Sequence, residues 1–150
     1  MSPSKHFSQA GFHELMRELL RFMQIQPSSN LPSEVYSFSF DHGKTEVNMF
    51  SAHPGMLDIL VLAGVMKEPT VAILRNLLGM NRYIQGGFPL SIGMDPASGK
   101  VTLWSRHPLE GLDIRKLAAL LTKVLDHVAA VQGHLNASPA AGGPRATRRQ

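Results

Sequence analysis

The first motif whose residue types could bind a ligand is Gly43-Lys44-Thr45. A glycine, a lysine and a serine or threonine in this order end the phosphate-binding loop of nucleotide-binding proteins, where backbone N–H groups and the lysine hold phosphate oxygens. That loop needs another glycine five residues before Gly43, and this sequence has Phe38 there. The residues Asp41-His42-Gly43-Lys44 are instead typical of a hairpin turn, so we predict a turn and no nucleotide site.

The seven histidines are the next candidates, because imidazole binds metals and transfers protons near neutral pH. No two of them stand four residues apart around a glutamate, the spacing that places two metal ligands on one helix face. No serine has the glycine neighbours of a nucleophile turn, and the carboxylates are too dispersed to propose an acid–base pair. We therefore predict that the protein is not an enzyme and that it uses no cofactor or metal.

Composition and charge exclude further classes. The 150 residues suffice for one domain with a real core, and the lack of cysteine excludes a disulfide framework and a thiol nucleophile. The net charge is +4, but three arginines lie at positions 145, 148 and 149, which leaves twelve basic against eleven acidic residues elsewhere. A nucleic-acid-binding face is therefore not expected. The arginines at the end either attract an anionic surface or form a solvated tail.

The pattern of apolar residues also bears on localisation. No run of about 18 apolar residues is present, so we expect no membrane insertion. The first residues, MSPSKH, lead into an amphipathic segment and not into the continuous apolar core of a secretory signal. The expectation is a protein that stays in a reducing compartment.

Hydrophobic periodicity predicts the elements of the first half. Residues 5–24 have apolar side chains at helical spacing, and a loop rich in Pro, Ser and Asn follows. Two runs with period-two alternation, 36–40 and 47–49, flank the predicted turn and indicate a hairpin. Residues 57–65 are apolar apart from Asp58, which is typical of a central strand or of one covered on both faces.

The second half begins with a short, very apolar helix. Pro69 suits its first turn, and the helical pattern runs to about Tyr83. Alternating runs at 88–94 and 101–106 then flank Asp95-Pro96-Ala97-Ser98-Gly99, which has the residues of a hairpin turn. These two runs predict a second pair of antiparallel strands.

A long amphipathic helix completes the domain. Asp113 is a suitable N-cap for it, and its apolar stripe continues to Leu135. The composition then changes, and we predict a domain of residues 1–136 followed by a disordered basic tail, 137–150. The order α-β-β-β-α-β-β-α predicts an α+β fold, with an antiparallel, twisted sheet of about five strands and flanking helices.

Three apolar features exceed what one core requires. The middle helix has apolar residues on more than one face, so it is either core on two sides or a homodimer interface. Trp104 lies on the polar side of its strand, where it is either covered by local structure or serves as a binding anchor. The eight methionines fit a core and equally an adaptable apolar groove.

Two segments carry a family resemblance. Residues 86–103, GGFPLSIGMDPASGKVTL, resemble the paired-strand segment of class I type III secretion chaperones, the Tir-chaperone (CesT-like) family. Residues 108–113, PLEGLD, are similar to that family's lead into its terminal helix. The order and length of the elements agree over about residues 5–136.

The resemblance implies a function. Such chaperones are small homodimers of the bacterial cytoplasm without catalytic activity or nucleotide. They bind the N-terminal chaperone-binding segment of a secreted effector and keep it soluble and competent for export, with the secretion ATPase as a further candidate partner. A domain that holds an extended chain needs apolar grooves and sheet edges, which agrees with the lack of titratable clusters.

The resemblance also implies site residues, mapped by element. The middle helix supplies dimer-interface candidates, which are Leu74, Leu77 and Leu78. The first helix and the sheet supply effector-binding candidates, which are Leu15, Leu19, Phe38, Phe40, Val47, Met49 and Trp104. The alternative function is a small-ligand-binding or regulatory α+β domain, which would contain a closed internal pocket.

Overall fold

The structure is a computed structural model that describes residues 9–25, 34–40, 43–81 and 90–142. The described residues form three helices and five strands in the predicted order: α1 (Gln9–Phe22), β1 (Val35–Phe40), β2 (Thr45–Phe50), β3 (Met56–Val65), α2 (Val71–Met80), β4 (Ser91–Met94), β5 (Lys100–Pro108) and α3 (Ile114–Gly142). The fold class predicted from the sequence, α+β with a five-stranded antiparallel sheet, is confirmed.

All strand pairs of the sheet are antiparallel, and their spatial order is β1-β2-β3-β5-β4. The long strand β3 lies in the centre, between β2 and β5. This confirms the prediction made from its apolar residues on both faces. The core-facing side chains of β3 are buried, and Asp58 on the opposite face is buried as well, so this acid needs partners inside the protein.

The helices pack on one face of the sheet. Burial alternates along β5, where Val101, Leu103 and Ser105 are buried while Lys100 and Trp104 are exposed. The same alternation holds on β1 and β2. The largest fully buried side chains, which join helices and sheet in one core, are Phe12, Met16, Leu19, Met49, Leu57, Ile59, Leu103, Leu117, Val47, Val61, Val101 and Val124.

Helix α2 is shorter than predicted. Thr70 has extended backbone angles, and its hydroxyl oxygen accepts the N–H of Ile73 at 3.1 Å, which makes Thr70 the N-cap. Pro69 therefore precedes the cap and does not lie in the first turn. The helix ends at Met80, where the prediction had about Tyr83. The Asn81 amide then bonds the backbone of Ile92 on the edge strand β4.

The turn between β4 and β5 has the predicted form. The Asp95 carboxylate accepts the Ala97 N–H and the Ser98 hydroxyl, and these hydrogen bonds, chiefly that of Ser98, lower the pKa of Asp95. Gly99 has φ +77°, and a Cβ there would collide with the carbonyl oxygen of Met66. Glycine is the residue that meets both requirements at once.

Helix α3 begins as predicted and ends later. Asp113 is its N-cap, with the carboxylate accepting the Lys116 N–H at 2.9 Å. The helix continues to Gly142, six residues beyond the boundary expected at 136. Three of those six residues are alanine, the strongest helix former, which favours continuation of the helix although the composition predicted disorder. Residues 143–150 lie outside the described residues, and the division into domain and tail stays a prediction.

Two other predictions also extend beyond the described residues. The start of the first helix, near residue 5, and the first part of the run 88–94 lie there. The described part of α1 begins at Gln9, and β4 comprises Ser91–Met94. Both elements therefore exist as predicted, but β4 is shorter than the run 88–94, because Leu90 is described and precedes the strand.

Candidate binding surfaces

The sheet face away from the helices carries apolar side chains with access to solvent. We call it the open face, and its central members are Phe50, Asp58, Leu60, Leu62, Trp104 and Arg106. Leu60 lies directly opposite Trp104 in the register of β3 and β5. The four apolar members are outside the core cluster, three of them partly buried and Trp104 37% exposed. An apolar strip of this kind on a sheet is typical of a surface that another chain covers.

A buried ion pair lies within this strip. Asp58 is 0% exposed, and its Oδ1 atom lies 2.7 Å from Nε of Arg106, its direct neighbour across the strands. Its other oxygen, Oδ2, accepts the backbone N–H of Ala52 at 3.2 Å. A buried carboxylate requires such partners, because an uncompensated charge in the protein interior is costly. The pair therefore explains how the central strand tolerates its single acidic residue.

Arg106 also covers Trp104. Its guanidinium carbon lies 5.1 Å from the centre of the indole ring, within the range of a cation–π interaction. The side chain of Arg106 is 33% exposed. Within the described part of the chain its Nη groups make no hydrogen bond, since its contacts are the bond from Nε and the stacking on the ring. The open face thus presents hydrogen-bond donors at a fixed position inside an apolar strip.

Helix α2 presents a second apolar surface. Ile73 and Leu77 are buried against the rest of the domain, whereas Val71 is 68% and Leu78 70% exposed. Val71, the partly buried Leu74 and Leu78 follow the spacing i, i+3, i+7, which places them on one stripe. We call these three residues the α2 stripe. The helix is thus buried on one side in the single chain, not on two sides as its composition led us to expect.

The dimer-interface candidates divide between these two sides of α2. Leu78 is exposed and Leu74 is partly buried, so both belong to the α2 stripe. Leu77 is 6% exposed and packs in the core of its own protomer. The sequence pattern did not single out Val71, although its position three residues before Leu74 was the available signal.

Most effector-binding candidates fill the core. Five of the seven are buried between the helices and the sheet: Leu15, Leu19, Phe38, Val47 and Met49. Phe40 is partly exposed at the end of β1, and Trp104 is on the open face as its strand pattern predicted. The candidates therefore do not form one surface in the single chain. The open-face residues Phe50, Leu60 and Arg106 were missed, because their position depends on strand pairing.

His107 is a titratable side chain of β5 close to the buried ion pair. His107 is half-buried, its Nε2 lies 3.0 Å from the Ser105 hydroxyl, and burial lowers its pKa although the nearby Asp58 opposes the shift. It lines a surface cleft of about 380 Å³ together with Lys116, Lys123 and other residues at the start of α3. Within the described ranges no three His, Cys, Asp or Glu residues are grouped as metal ligands would be. None of the described helices is long and apolar enough to cross a membrane.

Comparison with protein families gives a match over most of the chain. Residues 14–132 match the model of the Tir chaperone protein (CesT) family. This range includes the open face, the α2 stripe and nearly all of the described core. A search of curated proteins finds no match.

Solved structures agree in fold. The crystal structure of the ExsC-ExsE complex contains a chain 25% identical to this one, with a TM-score of 0.70 over 86% of this chain and 96% of that chain. The type III secretion chaperone SycH of Yersinia pestis, solved with a fragment of YscM2, is 16% identical, with a TM-score of 0.64 over 80% and 98% of the two chains. YbjN of E. coli, described as a putative transcription regulator, is 10% identical, with a TM-score of 0.57 over 85% and 92%.

The fold is thus shared with a protein of a different description, so fold alone does not decide the function. The family match and the chaperone structures together confirm the class predicted from the resemblance, the type III secretion chaperones. The chain belongs to the Tir chaperone protein (CesT) family.

Proposed function

We propose that this protein is a homodimeric export chaperone of the bacterial cytoplasm. It binds the N-terminal segment of a secreted effector and keeps that segment soluble and competent for export. The observation that carries the proposal is the apolar surface that a single chain of this family leaves exposed on the open face and on α2. Two neighbours of the same fold were solved with a protein partner, SycH with a fragment of YscM2 and SchA in a chaperone–effector complex with HopA1, which supports a polypeptide as the client.

The α2 stripe supports the homodimer. Val71 and Leu78 lie seven residues apart, about two helical turns, on the same face of α2, and both are mostly exposed. A second copy with the same stripe is the simplest cover, because a two-fold interface places each patch against itself. Each fully covered aliphatic side chain would contribute about 1.5–3 kcal/mol.

The open face supports client binding. Leu60 lies directly opposite Trp104, and Phe50 is the diagonal neighbour of Leu60 on β2, so the apolar members form a contiguous strip. An extended client segment gains affinity by covering such a strip and loses conformational entropy in doing so. Binding of this kind needs no catalysis, and we propose that the protein has none. The secretion ATPase remains a further proposed partner, which receives the complex.

The alternative of a small-ligand-binding or regulatory domain receives less support. The cleft near His107 is open to the surface, and its other polar lining residues are Glu110, Lys116 and Lys123. Ligand sites for small molecules enclose most of the ligand and converge several polar groups on it. Thermal unfolding in the presence of a metabolite mixture provides the test, since a ligand-binding domain would melt at a higher temperature without any protein client.

Affinity purification from a secretion-competent strain tests the proposal. The tagged full-length chain is expected to recover a secreted protein, and deletion of its gene is expected to lower the amount of that protein in the cell. A variant with Trp104→Ala is the test for the open face, and Trp104→Phe, which keeps an aromatic ring there, is the matched control. Recovery of no secreted protein, together with unchanged effector levels after deletion, would contradict the proposal.

A further inference from the structure

We infer that Arg106 selects the client by an acidic side chain. A client segment that crosses the open face places an Asp or Glu carboxylate on the Nη groups of Arg106 and an apolar side chain two residues away against Trp104. This inference rests on the proposed function and specifies the feature of the client that the open face recognises. The proposed ligand is a peptide segment in which one residue of any type lies between an acidic residue and an apolar residue, in either order.

The first argument is the set of unused donors. Arginine binds carboxylates through parallel N–H groups of its planar fork. Arg106 uses Nε for Asp58, and the ring of Trp104 supports one face of the guanidinium at 5.1 Å. Both contacts restrict rotation of the side chain. The Nη edge is left for a partner and needs little further ordering to bind one, which is what raises affinity at a preorganised site.

The second argument concerns charge. Asp58 is wholly buried, and Arg106 is one-third exposed. The two oxygens of the Asp58 carboxylate accept hydrogen bonds from Nε of Arg106 and from the N–H of Ala52 inside the sheet, while the Nη groups of Arg106 reach the surface. The other acid on this face, Glu46, lies on β2, two strands from β5, and accepts a hydrogen bond from Asn48.

The third argument concerns spacing. Trp104 and Arg106 lie two positions apart on one strand, with Ser105 between them, and point to the same face. Side chains that share a face recur every two residues, about 6.5–7 Å apart, in any extended chain. An extended client laid along β5 therefore matches this pair with two of its own side chains at the same interval. The partly buried Leu60, opposite Trp104, widens the apolar end of the site.

The experiment begins by locating the client segment. A benzophenone amino acid replaces Thr102 on the open face, and the same amino acid at Asn76 on the exposed polar side of α2 is the control. The full-length chaperone is irradiated with the secreted protein that co-purifies with it. Mass spectrometry is expected to find the position-102 crosslink in a segment with an acidic residue two positions from an apolar one. Crosslinks to a second copy of the chaperone, or to segments without that pattern, would overturn the inference.

A double-mutant cycle then tests the contact itself. The probe is a fluorescein-labelled peptide of about 15 residues with the crosslinked sequence, and its partner peptide has Asn or Gln in place of the acidic residue. Wild-type chaperone is expected to bind the amide peptide about tenfold more weakly, since hydrogen bonds to ionised groups are roughly twice as strong as neutral ones. The double variant D58N/R106Q removes both charges and is expected to bind the two peptides equally.

Each result of the cycle decides the question. An equal loss on wild-type chaperone and double variant, or no loss on either, would overturn the role of Arg106. The variant R106K, which keeps a cation beside Asp58 but lacks the fork, gives a second measurement if the double variant melts early. These failures differ from failure of the proposed function, because the client would still co-purify with wild-type chaperone. If no client binds wild-type chaperone at all, the proposed function itself fails.

Discussion

Asp58 and Arg106 face each other across β3 and β5, with 2.7 Å between Oδ1 and Nε. The acid has no exposed surface, whereas the arginine reaches solvent and stacks on Trp104. One contact thus links the interior of the central strand to the surface proposed for the client. The relationship leads to a stability prediction that is independent of any client.

Removal of the arginine alone should destabilise the fold. The variant Arg106→Met leaves Asp58 buried without its ion pair, and we expect the free energy of unfolding to fall by about 2–3 kcal/mol. The double variant Asp58→Leu with Arg106→Met should recover most of that loss, because it leaves no buried charge. Urea denaturation followed by circular dichroism measures both. Lys100→Met, at the exposed start of β5, is the control and should change stability by less than about 0.5 kcal/mol. A single variant as stable as this control would contradict the prediction.

The α2 stripe predicts the oligomeric state. Leu78→Asp places a charge at a site that is 70% exposed in the single chain, so it should leave the protomer folded and convert dimers to monomers. Light scattering after gel filtration measures the mass. Asn76→Asp adds the same charge to the exposed polar side of the same helix and should remain dimeric. A dimeric Leu78→Asp protein would show that the interface lies elsewhere.

Leu77 is unsuitable for that test. Its side chain is buried in the core of its own protomer, and a charge there would unfold the chain whether or not a dimer forms. The contrast between adjacent positions 77 and 78 therefore provides an internal check. Leu77→Asp should give insoluble protein, while Leu78→Asp should give a soluble monomer.

Removal of the Trp104 ring should lower the affinity for the client. Large aromatic side chains contribute strongly where they enter a covered interface, and Trp104→Ala should weaken client binding by about tenfold or more. Trp104→Ala should also lower the stability of the chaperone, since only 37% of the residue is exposed and the cation–π contact, worth about 0.5–1 kcal/mol, is lost as well. Trp104→Phe, which keeps an aromatic ring at this position, is the matched control. Fluorescence anisotropy with the client peptide measures the affinity. Equal binding by Trp104→Ala and wild type would exclude the open face as the client surface.

His107 predicts a pH dependence of stability. Burial lowers its pKa in the folded state, so the unfolded chain, in which the pKa is near the ordinary 6.5, takes up a proton first on acidification. Stability should therefore be complete above about pH 6.5 and fall as the pH drops toward the lowered native pKa. His107→Gln should flatten the unfolding free energy between pH 7 and pH 5. A steep decline that persists in this variant would assign the effect to another group.

The local sequence pattern predicted the helices, strands and turns because their formation depends on interactions between residues that are close in sequence. Phe38 and Val47 alternate with polar neighbours, which correctly predicted two paired strands, although both residues were candidates for effector binding and lie in the core. Asp113 and Asp95 occupy a helix cap and a turn whose side-chain hydrogen bonds are made to residues two or three positions away. The central position of β3 followed from its apolar composition, although Leu60 and Leu62 on its outer face are only partly buried. Elements of this kind depend on periods of 2 and 3.6 residues and on caps, all of which are visible in a window of a few residues.

The binding surfaces depended on long-range packing. A buried side chain and a surface side chain can have the same residue type, so the effector candidates chosen as apolar residues on the right elements turned out to be mostly core. Likewise, the leucines of α2 were equivalent in sequence until the packing of Ile73 and Leu77 decided which side faces outward. The end of α3 beyond residue 136 was also missed, because composition alone suggested a break.

The sequence by itself determined the element order, the fold class and the family resemblance, because these follow from local periodicity, turn residues and element lengths. The tertiary structure alone decided that Asp58 meets Arg106, two residues 48 positions apart. It also decided that Trp104 and Leu60 share an uncovered face. Both facts depend on strand order and register, and these are set by packing of the whole domain.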